Sequence, residues 1–285
     1  MRNGKFDRSA QDLGNIINLE HLNVRVPDQQ IATAFYVVGM GFTRDPYLMV
    51  GLENMWINIG LTQIHMPTGN AQAFPGHSDV VLPDLEALKT RLASVKERLA
   101  GTKFSCVDEG KTVMVTCPWG NRYRCHAPGP EYRDWTLGIV NVDFPVARGH
   151  AEGIARFYRE VLDAPAGVVD DGEGRAARVV AGNVQTLTFR ESDQLTPYDG
   201  HHIAIYISDF SGPHRKMVER GIVSEESNDY QYRFKDIVDL DSGTVLFTVE
   251  HEVRSMTHPM VGRPFVNRNP AQQQRTYQRG RDAFV

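Results

Sequence analysis

Apolar and polar residues alternate along short stretches of the chain, and helical patterns lie between these stretches. In the first cycle, residues 17–26 alternate as a half-buried strand does, which predicts a strand with one face in the core. Asp28 then provides an N-cap for a helix that ends at the glycine pair Gly39 and Gly41. Three shorter strands are predicted after this helix, at 42–47, 55–59 and 61–66.

The same order of strand, helix and three strands occurs four times along the chain. New cycles begin with the strand patterns at 77–82, 137–144 and 201–207, and Asp84 and Asp209 open the helices of the second and fourth cycles. The repetition predicts an α+β fold of four βαβββ units. A proline- and glycine-rich linker at 128–133 separates two domains. We place the domains and the extended C-terminal arm that follows them at 15–130, 134–255 and 256–285.

The composition narrows the class of protein. The chain has 285 residues, 41% of them hydrophobic, which is enough for a core in each of two domains. No run of about 20 apolar residues occurs, so a membrane-spanning helix is not expected. A net charge of −4 argues against nucleic-acid or anionic-membrane binding. Three cysteines and a polar N-terminus indicate a reduced, cytoplasmic location.

Several segments resemble the vicinal oxygen chelate superfamily of glyoxalases, bleomycin-resistance proteins and extradiol dioxygenases. The likeness lies in residues 19–28, in Ala34-Phe-Tyr36 with Met40-Gly-Phe42, in the turn 118–122, and in the spacing from His77 to Asp84. The resemblance implies that consecutive units pair into two glyoxalase-like domains with cupped mixed sheets. It also implies a divalent metal on the floor of a cup, held by side chains from the first and last strands of the units.

Four histidines of the first half occupy strands that the resemblance assigns to one cup. His21 and His77 lie on first strands, at positions that the family uses for metal ligands, whereas His65 and His126 lie on last strands. We therefore expect His21, His77 and His126 to bind the metal, with His65 and Arg124 as catalytic candidates. The pattern does not distinguish Fe, Mn, Zn and Ni.

Arg124 departs from the family pattern. The resemblance implies a glutamate at this position, and a protonated guanidinium cannot bind a metal. Two alternatives follow. Either His126 or His65 is the third ligand and Arg124 faces the substrate, or the protein binds no metal and Arg124 anchors a carboxylate or phosphate.

The second half offers fewer ligands at the corresponding positions. Ile139 and Phe247 replace polar residues there, and only His202 keeps its place. Glu250, His251 and Glu252 form a cluster just beyond the last strand, which could bring a carboxylate to His202 if the strand bulges. Strand parity counted from Phe247, however, points Glu250 away from the cup. We therefore expect the second domain to shape the structure or the substrate pocket, without an active site of its own.

Two functions follow from these observations. The first is a metal-dependent enzyme of the vicinal oxygen chelate type that acts on a small oxygen-bearing substrate, as a lyase, an isomerase or a ring-cleaving dioxygenase. The alternative is a metal-free small-molecule-binding protein, or a cofactor-free enzyme, with Arg124 as its anion anchor. In both cases the partner is a small molecule, and the sequence leaves open whether the cups close within one chain or between the chains of a homodimer.

Overall fold

A computed structural model describes residues 7–48, 51–268 and 283–284. The order of strand, helix and three strands predicted for each unit is confirmed. The first unit contains β1 (Ile16–Asn23), α1 (Gln29–Ala32) continued by a π-helical stretch (Thr33–Gly39), β2 (Thr43–Arg44), β3 (Asn54–Ile59) and β4 (Thr62–Pro67). The second contains β5 (His77–Val81), α2 (Leu85–Val95), β6 (Ser105–Asp108), β7 (Thr112–Thr116) and β8 (Arg122–His126).

The second half repeats this plan. The third unit contains β9 (Gly138–Val146), α3 (Ala151–Leu162), β10 (Ala166–Asp171), β11 (Gly174–Val180) and β12 (Thr186–Glu191). The fourth contains β13 (His202–Ile207), α4 (Ser211–Glu219), β14 (Val223–Asn228), β15 (Gln231–Val238) and β16 (Val245–Ser255). Short 3-10 helices at Ser9–Gln11 and Pro130–Tyr132, and a pair of two-residue strands, β17 (Asn267–Arg268) and β18 (Ala283–Phe284), complete the described elements.

The predicted helix starts have a local cause in their aspartates. The Asp28 carboxylate accepts hydrogen bonds from the backbone amides of Gln30 and Ile31, and Asp84 accepts one from Ala87. Asp209 likewise accepts from the amide of Gly212, at the start of α4. These bonds satisfy amides that have no partner within the first turn of a helix.

Sixteen strands of the described residues form two eight-stranded mixed sheets, which confirms the α+β fold with paired glyoxalase-like units. The first sheet has the order β14-β15-β16-β13-β1-β4-β3-β2 and joins the first and fourth units. The second has the order β10-β11-β12-β9-β5-β8-β7-β6 and joins the second and third units. We call the polar inner faces of these sheets the first cup and the second cup.

The expectation that the first unit shares a cup with the second, and the third with the fourth, is therefore wrong. Within each predicted domain the units meet through buried side chains behind the sheets: the hydroxyls of Tyr36 and Tyr123 lie 2.9 Å apart, and the Tyr158 hydroxyl lies 2.7 Å from Nε2 of His251. The sheets instead continue across the two domains, through the antiparallel pairs β1–β13 and β5–β9. Strand periodicity fixes which face of a strand is apolar, but it does not identify the strand at its edge.

The first part of the C-terminal arm packs back onto the first unit. The Asn58 side-chain amide donates to the carbonyl of Val266, and the amide of Gly60 donates to Oδ1 of Asn267. Arg263 forms an ion pair of 2.8 Å with the fully buried Asp45. The remainder of the predicted arm, 269–282 and 285, lies outside the described residues.

Among the residues that the structure describes, no helix has the length and apolar character required to cross a membrane.

Candidate metal centre

The two sheets divide the predicted site residues between them. His21 and His65 lie in the first cup, on β1 and β4, whereas His77, Arg124 and His126 lie in the second, on β5 and β8. The expected ligand set of His21, His77 and His126 therefore does not form one site. The cause is the pairing described above, which places the first strands of the first two units in different sheets.

The first cup brings together a different group of three ligands. Nitrogen atoms of His21 and His202 and a carboxylate oxygen of Glu252 all lie within 4.8 Å of one another, and all three side chains are buried. They come from three neighbouring strands, β1, β13 and β16, and Glu252 is the register partner of Ala204 on β13, as His21 is on β1. His202 and Glu252 thus come from the half of the chain that was expected to carry no site.

Glu250 and Glu252 face the cup because Phe247, which lies an odd number of positions before each of them on β16, faces the core. Phe247 packs against the fully buried Phe144 of the other sheet. The sequence argument took Phe247 as a cup residue, and that assumption is wrong. As a result, Glu250 lies 3.5 Å from Nδ1 of His202, and the expectation that it points away is wrong.

His21 is oriented by a carboxylate on the side opposite to the cup centre. Its Nδ1 contacts the Glu20 carboxylate, which also receives a hydrogen bond of 3.0 Å from Arg254. Burial raises the pKa of Glu20, but His21 and Arg254 together lower it below its usual value, so the carboxylate is ionised. In the neutral form of His21, which is the form that can bind a metal, an Nδ1–H that donates to Glu20 leaves the lone pair on Nε2; this atom is buried and has no hydrogen-bond partner among the described residues.

His202 presents the second nitrogen to the same space. Its Nε2 lies 3.6 Å from Oε2 of Glu252 and is also buried without a hydrogen bond among the described residues. Burial holds the pKa of His202 well below its usual value, and the charges of His21 and Arg233 lower it further. The ring is therefore neutral at neutral pH, which is the form that binds metals.

Glu252 supplies a carboxylate that two arginines hold in place. Oε1 accepts a hydrogen bond of 2.6 Å from Nε of Arg254, and Oε2 accepts one from Arg233. Burial raises the pKa of Glu252, but the charges of His21, Arg254 and Arg233 outweigh it and lower the pKa below its usual value. Arg233 also binds Glu250, so it has a second carboxylate available.

The residues of this site fit a divalent metal. Two neutral imidazoles and one carboxylate are the donor set that non-haem Fe(II) uses, and Zn, Mn and Ni accept the same ligands. Two buried nitrogens without hydrogen bonds would be costly in a site with no ligand, because each buried polar atom needs a partner. Arg233 opposes binding through its charge, while Arg254 keeps Oε2 turned toward the histidines by holding Oε1.

His65 forms part of the wall of the first cup. Its ring stacks on Trp56 with centroids 3.9 Å apart, and its two nitrogens lie at 2.6 Å from Nδ2 of Asn23 and 2.5 Å from Oδ1 of Asn54. Burial lowers its pKa to about 2, with a further contribution from the charge of His21. Because both nitrogens are engaged, His65 contributes a neutral aromatic surface beside His21, 6.1 Å away between ring centroids.

In the second cup, the remaining predicted residues bind one another. Asp79 accepts hydrogen bonds from Nε2 of His126 at 2.7 Å and from the Asn141 amide at 2.8 Å, and Nε2 of His77 lies 3.4 Å away. Arg124 forms an ion pair of 2.9 Å with Glu173. These contacts engage the histidines with Asp79 and the arginine with an acid of the third unit.

Sequence reasoning set Glu252 aside, as part of a cluster that could reach His202 only if its strand bulged, and it missed Glu20. A signal for the former was present, because Glu250, Glu252 and Arg254 occupy alternate positions, while the apolar residues Val249 and Val253 fall on the positions of opposite parity. Such alternation in a buried strand indicates a polar inner face. Glu20 gave no such signal, because it directly precedes His21 and strand periodicity places neighbours on opposite faces. The pairing of β1 with β13 is irregular between Leu19 and His21, which brings Glu20 and His21 into contact.

Comparisons with known proteins identify the fold. No protein-family model and no curated protein sequence match the chain. Glyoxalase I from Zea mays superposes with a TM-score of 0.56 at 16% identity, over 84% of this chain and 92% of that one. A provisionally assigned dioxygenase from Bacillus subtilis subsp. subtilis str. 168 gives 0.53 at 15% identity, over 84% and 85%. The cppA protein from Streptococcus pneumoniae TIGR4 gives 0.50 at 9% identity, over 86% and 100%.

These similarities confirm the resemblance stated from the sequence at the level of the fold. The chain has the fold of these solved structures, whose names include a glyoxalase and a provisionally assigned dioxygenase. At these identities the superpositions carry the fold alone, so the chemistry must be argued from the residues of the cups.

Proposed function

We propose that the protein is a metal-dependent enzyme of the vicinal oxygen chelate type whose active site is the first cup. His21, His202 and Glu252 hold one divalent metal, and the substrate is a small molecule that carries neighbouring oxygen atoms. The observation that carries the proposal is the convergence of two buried Nε2 atoms without hydrogen bonds on one ionised carboxylate. All three side chains belong to one chain, so this site needs no second copy to complete it.

A divalent metal in this site supplies a Lewis acid that stabilises negative charge developing on substrate oxygens. The protein's own residues prepare the site for it. Glu20 fixes the tautomer of His21, and Arg254 links Glu20 to Glu252, so that two ligands are oriented through one buried guanidinium. Such partners behind the ligands typically change metal affinity by about 10–100-fold.

Arg233 is the residue best placed to bind the substrate. It lies on the side of Glu252 that faces His202, and its Nε is buried without a hydrogen bond among the described residues. A guanidinium there can donate to an anionic substrate oxygen. Trp56 and His65 give the cup a flat aromatic wall, which suits a planar or apolar substrate group.

The proposal covers two kinds of reaction, an oxygen-independent isomerase or lyase step and a ring-cleaving dioxygenase step. The names of the similar structures include both a glyoxalase and a provisional dioxygenase. Oxygen uptake in the presence of catechols separates the two. Consumption of oxygen supports the dioxygenase, and turnover without it supports the isomerase or lyase.

The metal is tested by elemental analysis of protein purified without an affinity tag or chelator. We expect about one equivalent of divalent metal per chain in the wild type, as one two-histidine, one-carboxylate site requires. His21→Ala and His202→Ala should lose most of it. His214→Ala is the matched control, because His214 lies on α4 and pairs with the exposed Glu226. Full metal content in the two cup variants, or a wild type that takes up no metal on reconstitution, would overturn the proposal.

The metal-free alternative built on Arg124 does not compete for this site. Arg124 lies in the second cup, in a different sheet from His21, His202 and Glu252. Anion binding by Arg124 is therefore a separate question, and it concerns the second cup alone.

A further inference from the structure

The second cup contains a cavity of about 600 Å³ whose lining includes both charged and hydroxyl side chains. Two arginines, one on each side of the central strand pair β5–β9, contact the same carboxylate there. Nη1 of Arg124, on β8, lies 2.9 Å from Oε1 of Glu173, and Nη2 of Arg190, on β12, lies 3.6 Å from Oε2. The two guanidinium groups thus hold one carboxylate between them.

The carboxylate that they hold belongs to a surface turn. Glu173 lies in the tight turn between β10 and β11, with Gly172 and Gly174 on either side, and β10 is an edge strand of the sheet. A Cβ atom added to either glycine would have no other atom within 4 Å, so there is open space beside the turn at both positions. The Glu173 side chain is 47% exposed, and exposed ion pairs contribute little to stability. Glu173 can therefore leave the two arginines at low cost.

The two arginines differ in the carboxylate partners that they would keep if Glu173 moved away. Arg190 keeps Asp143 at 3.0 Å and Asp171 at 2.7 Å, so it stays fixed in the cup. Arg124 has Glu173 as its one carboxylate partner among the described residues, and its side chain is 25% exposed toward the cavity. Without Glu173, Arg124 is a guanidinium with free donors at the edge of a cavity, beside a second fixed guanidinium.

Three other acids of the cavity have partners, and Glu131 is exposed to solvent. Asp79 accepts from His126 and Asn141, and Asp143 and Asp171 both accept from Arg190. On the uncharged side of the cavity, the hydroxyls of Thr186 and Thr188 lie against Asn141. When Glu173 leaves, the charged group without a partner is therefore the Arg124 cation. The complementary ligand is an anion with polar substituents.

We propose that the second cup is a binding site for a small carboxylic acid, whose carboxylate takes the place of Glu173 between Arg124 and Arg190. The body of the acid lies in the cavity, against the side of Asn141, Thr186 and Thr188. Glu173 then acts as a resident competitor that fills the anion site in the absence of ligand. The site uses no residue of the proposed metal centre and does not depend on it.

The proposal is tested with succinate as the probe, by the broadening of its methylene proton resonance on addition of the full-length protein. Glu173→Gln removes the competing charge and keeps the size of the side chain, so we expect tighter binding, by about tenfold. Arg124→Gln should abolish the broadening, and Arg124→Lys, which keeps the charge and loses the fork, should weaken it. Arg156→Gln on α3 is the matched control, since Arg156 also pairs with acids but lies outside the cup.

Each outcome decides the question. Binding by the wild type or by Glu173→Gln that is lost in Arg124→Gln supports the site, provided that the thermal unfolding of the variants matches the wild type. No broadening with either the wild type or Glu173→Gln overturns the proposal. Loss in Arg233→Gln but not in Arg124→Gln would place the acid in the first cup and overturn it as well. Binding of inorganic phosphate without binding of succinate would overturn the assignment to carboxylic acids.

Discussion

Buried histidines in this protein differ in what their second nitrogen can do. His21 and His202 each keep an Nε2 without a hydrogen bond, whereas His251 uses both nitrogens within the fold. Its Nδ1 donates to the carbonyl of Val249 at 2.9 Å, and its Nε2 accepts from the Tyr158 hydroxyl at 2.7 Å. Neighbouring groups therefore decide whether an imidazole is available to a ligand or serves the core, although all three are buried.

The buried His251 predicts a loss of stability in acid. Burial lowers the pKa of His251 from 6.5 to about 3, although the bond to Val249 opposes the shift. Between these values the unfolded chain binds a proton that the folded chain does not, so the free energy of unfolding decreases as the pH falls. The decrease from this group approaches about 1.4 kcal/mol per pH unit.

Urea denaturation at a series of pH values measures this decrease. His251→Gln keeps a polar partner for Tyr158 but does not titrate. The slope of its unfolding free energy against pH should therefore be smaller, by the amount that corresponds to about one proton taken up on unfolding. His214→Gln, at the exposed pair with Glu226, should follow the wild type. A dependence unchanged in His251→Gln would show that His251 does not contribute to it.

Among the elements, the starts of helices follow from the sequence more directly than the registers of strands. An aspartate before an apolar helical pattern predicted the helices after Asp28 and Asp84, and both carboxylates cap them. The face that β16 turns to the core has no such local signal, because Thr248, Val249 and Glu250 alternate as in any regular strand. It depends on the packing of Phe247 against Phe144 of the other sheet, which the local pattern does not specify.

The cap of α1 gives a prediction at this scale. Asp28→Ala removes the acceptor for the amides of Gln30 and Ile31, and we expect the free energy of unfolding to fall by about 1 kcal/mol. Asp28→Asn should retain most of the stability that the cap contributes, because an asparagine oxygen caps a helix nearly as well. Chemical denaturation of the three proteins measures the difference. Equal stability of Asp28→Ala and the wild type would show that this cap is dispensable.

In the whole molecule, the arrangement of the cups decides which predicted residues meet. The repeat of four units and the α+β fold could be predicted from hydrophobic periodicity, because each unit repeats the same order of elements. The association of the first unit with the fourth could not, since four similar first strands offer similar edges to one another. His21 consequently lies in one cup with His202, whereas the sequence argument grouped it with His77.

The same arrangement means that a metal in the first cup connects the two ends of the chain. His21 belongs to the first unit and His202 and Glu252 to the fourth, so an ion bound by them would hold together the β1–β13 junction between the domains. A ligand that binds only the folded state stabilises it by about 4 kcal/mol when its free concentration is a thousandfold above Kd.

For a chain of this size that stabilisation corresponds to an increase in Tm of about 10 °C, which a chelator should abolish. Differential scanning calorimetry of the metal-loaded protein, with and without chelator, measures the shift. Glu252→Gln should respond far less to the chelator, because a neutral amide is a poorer ligand than a carboxylate, while Arg124→Gln in the second cup should respond as the wild type does. If the chelator left the Tm of metal-loaded wild type unchanged, the ion would not be bound across the junction of β1 and β13.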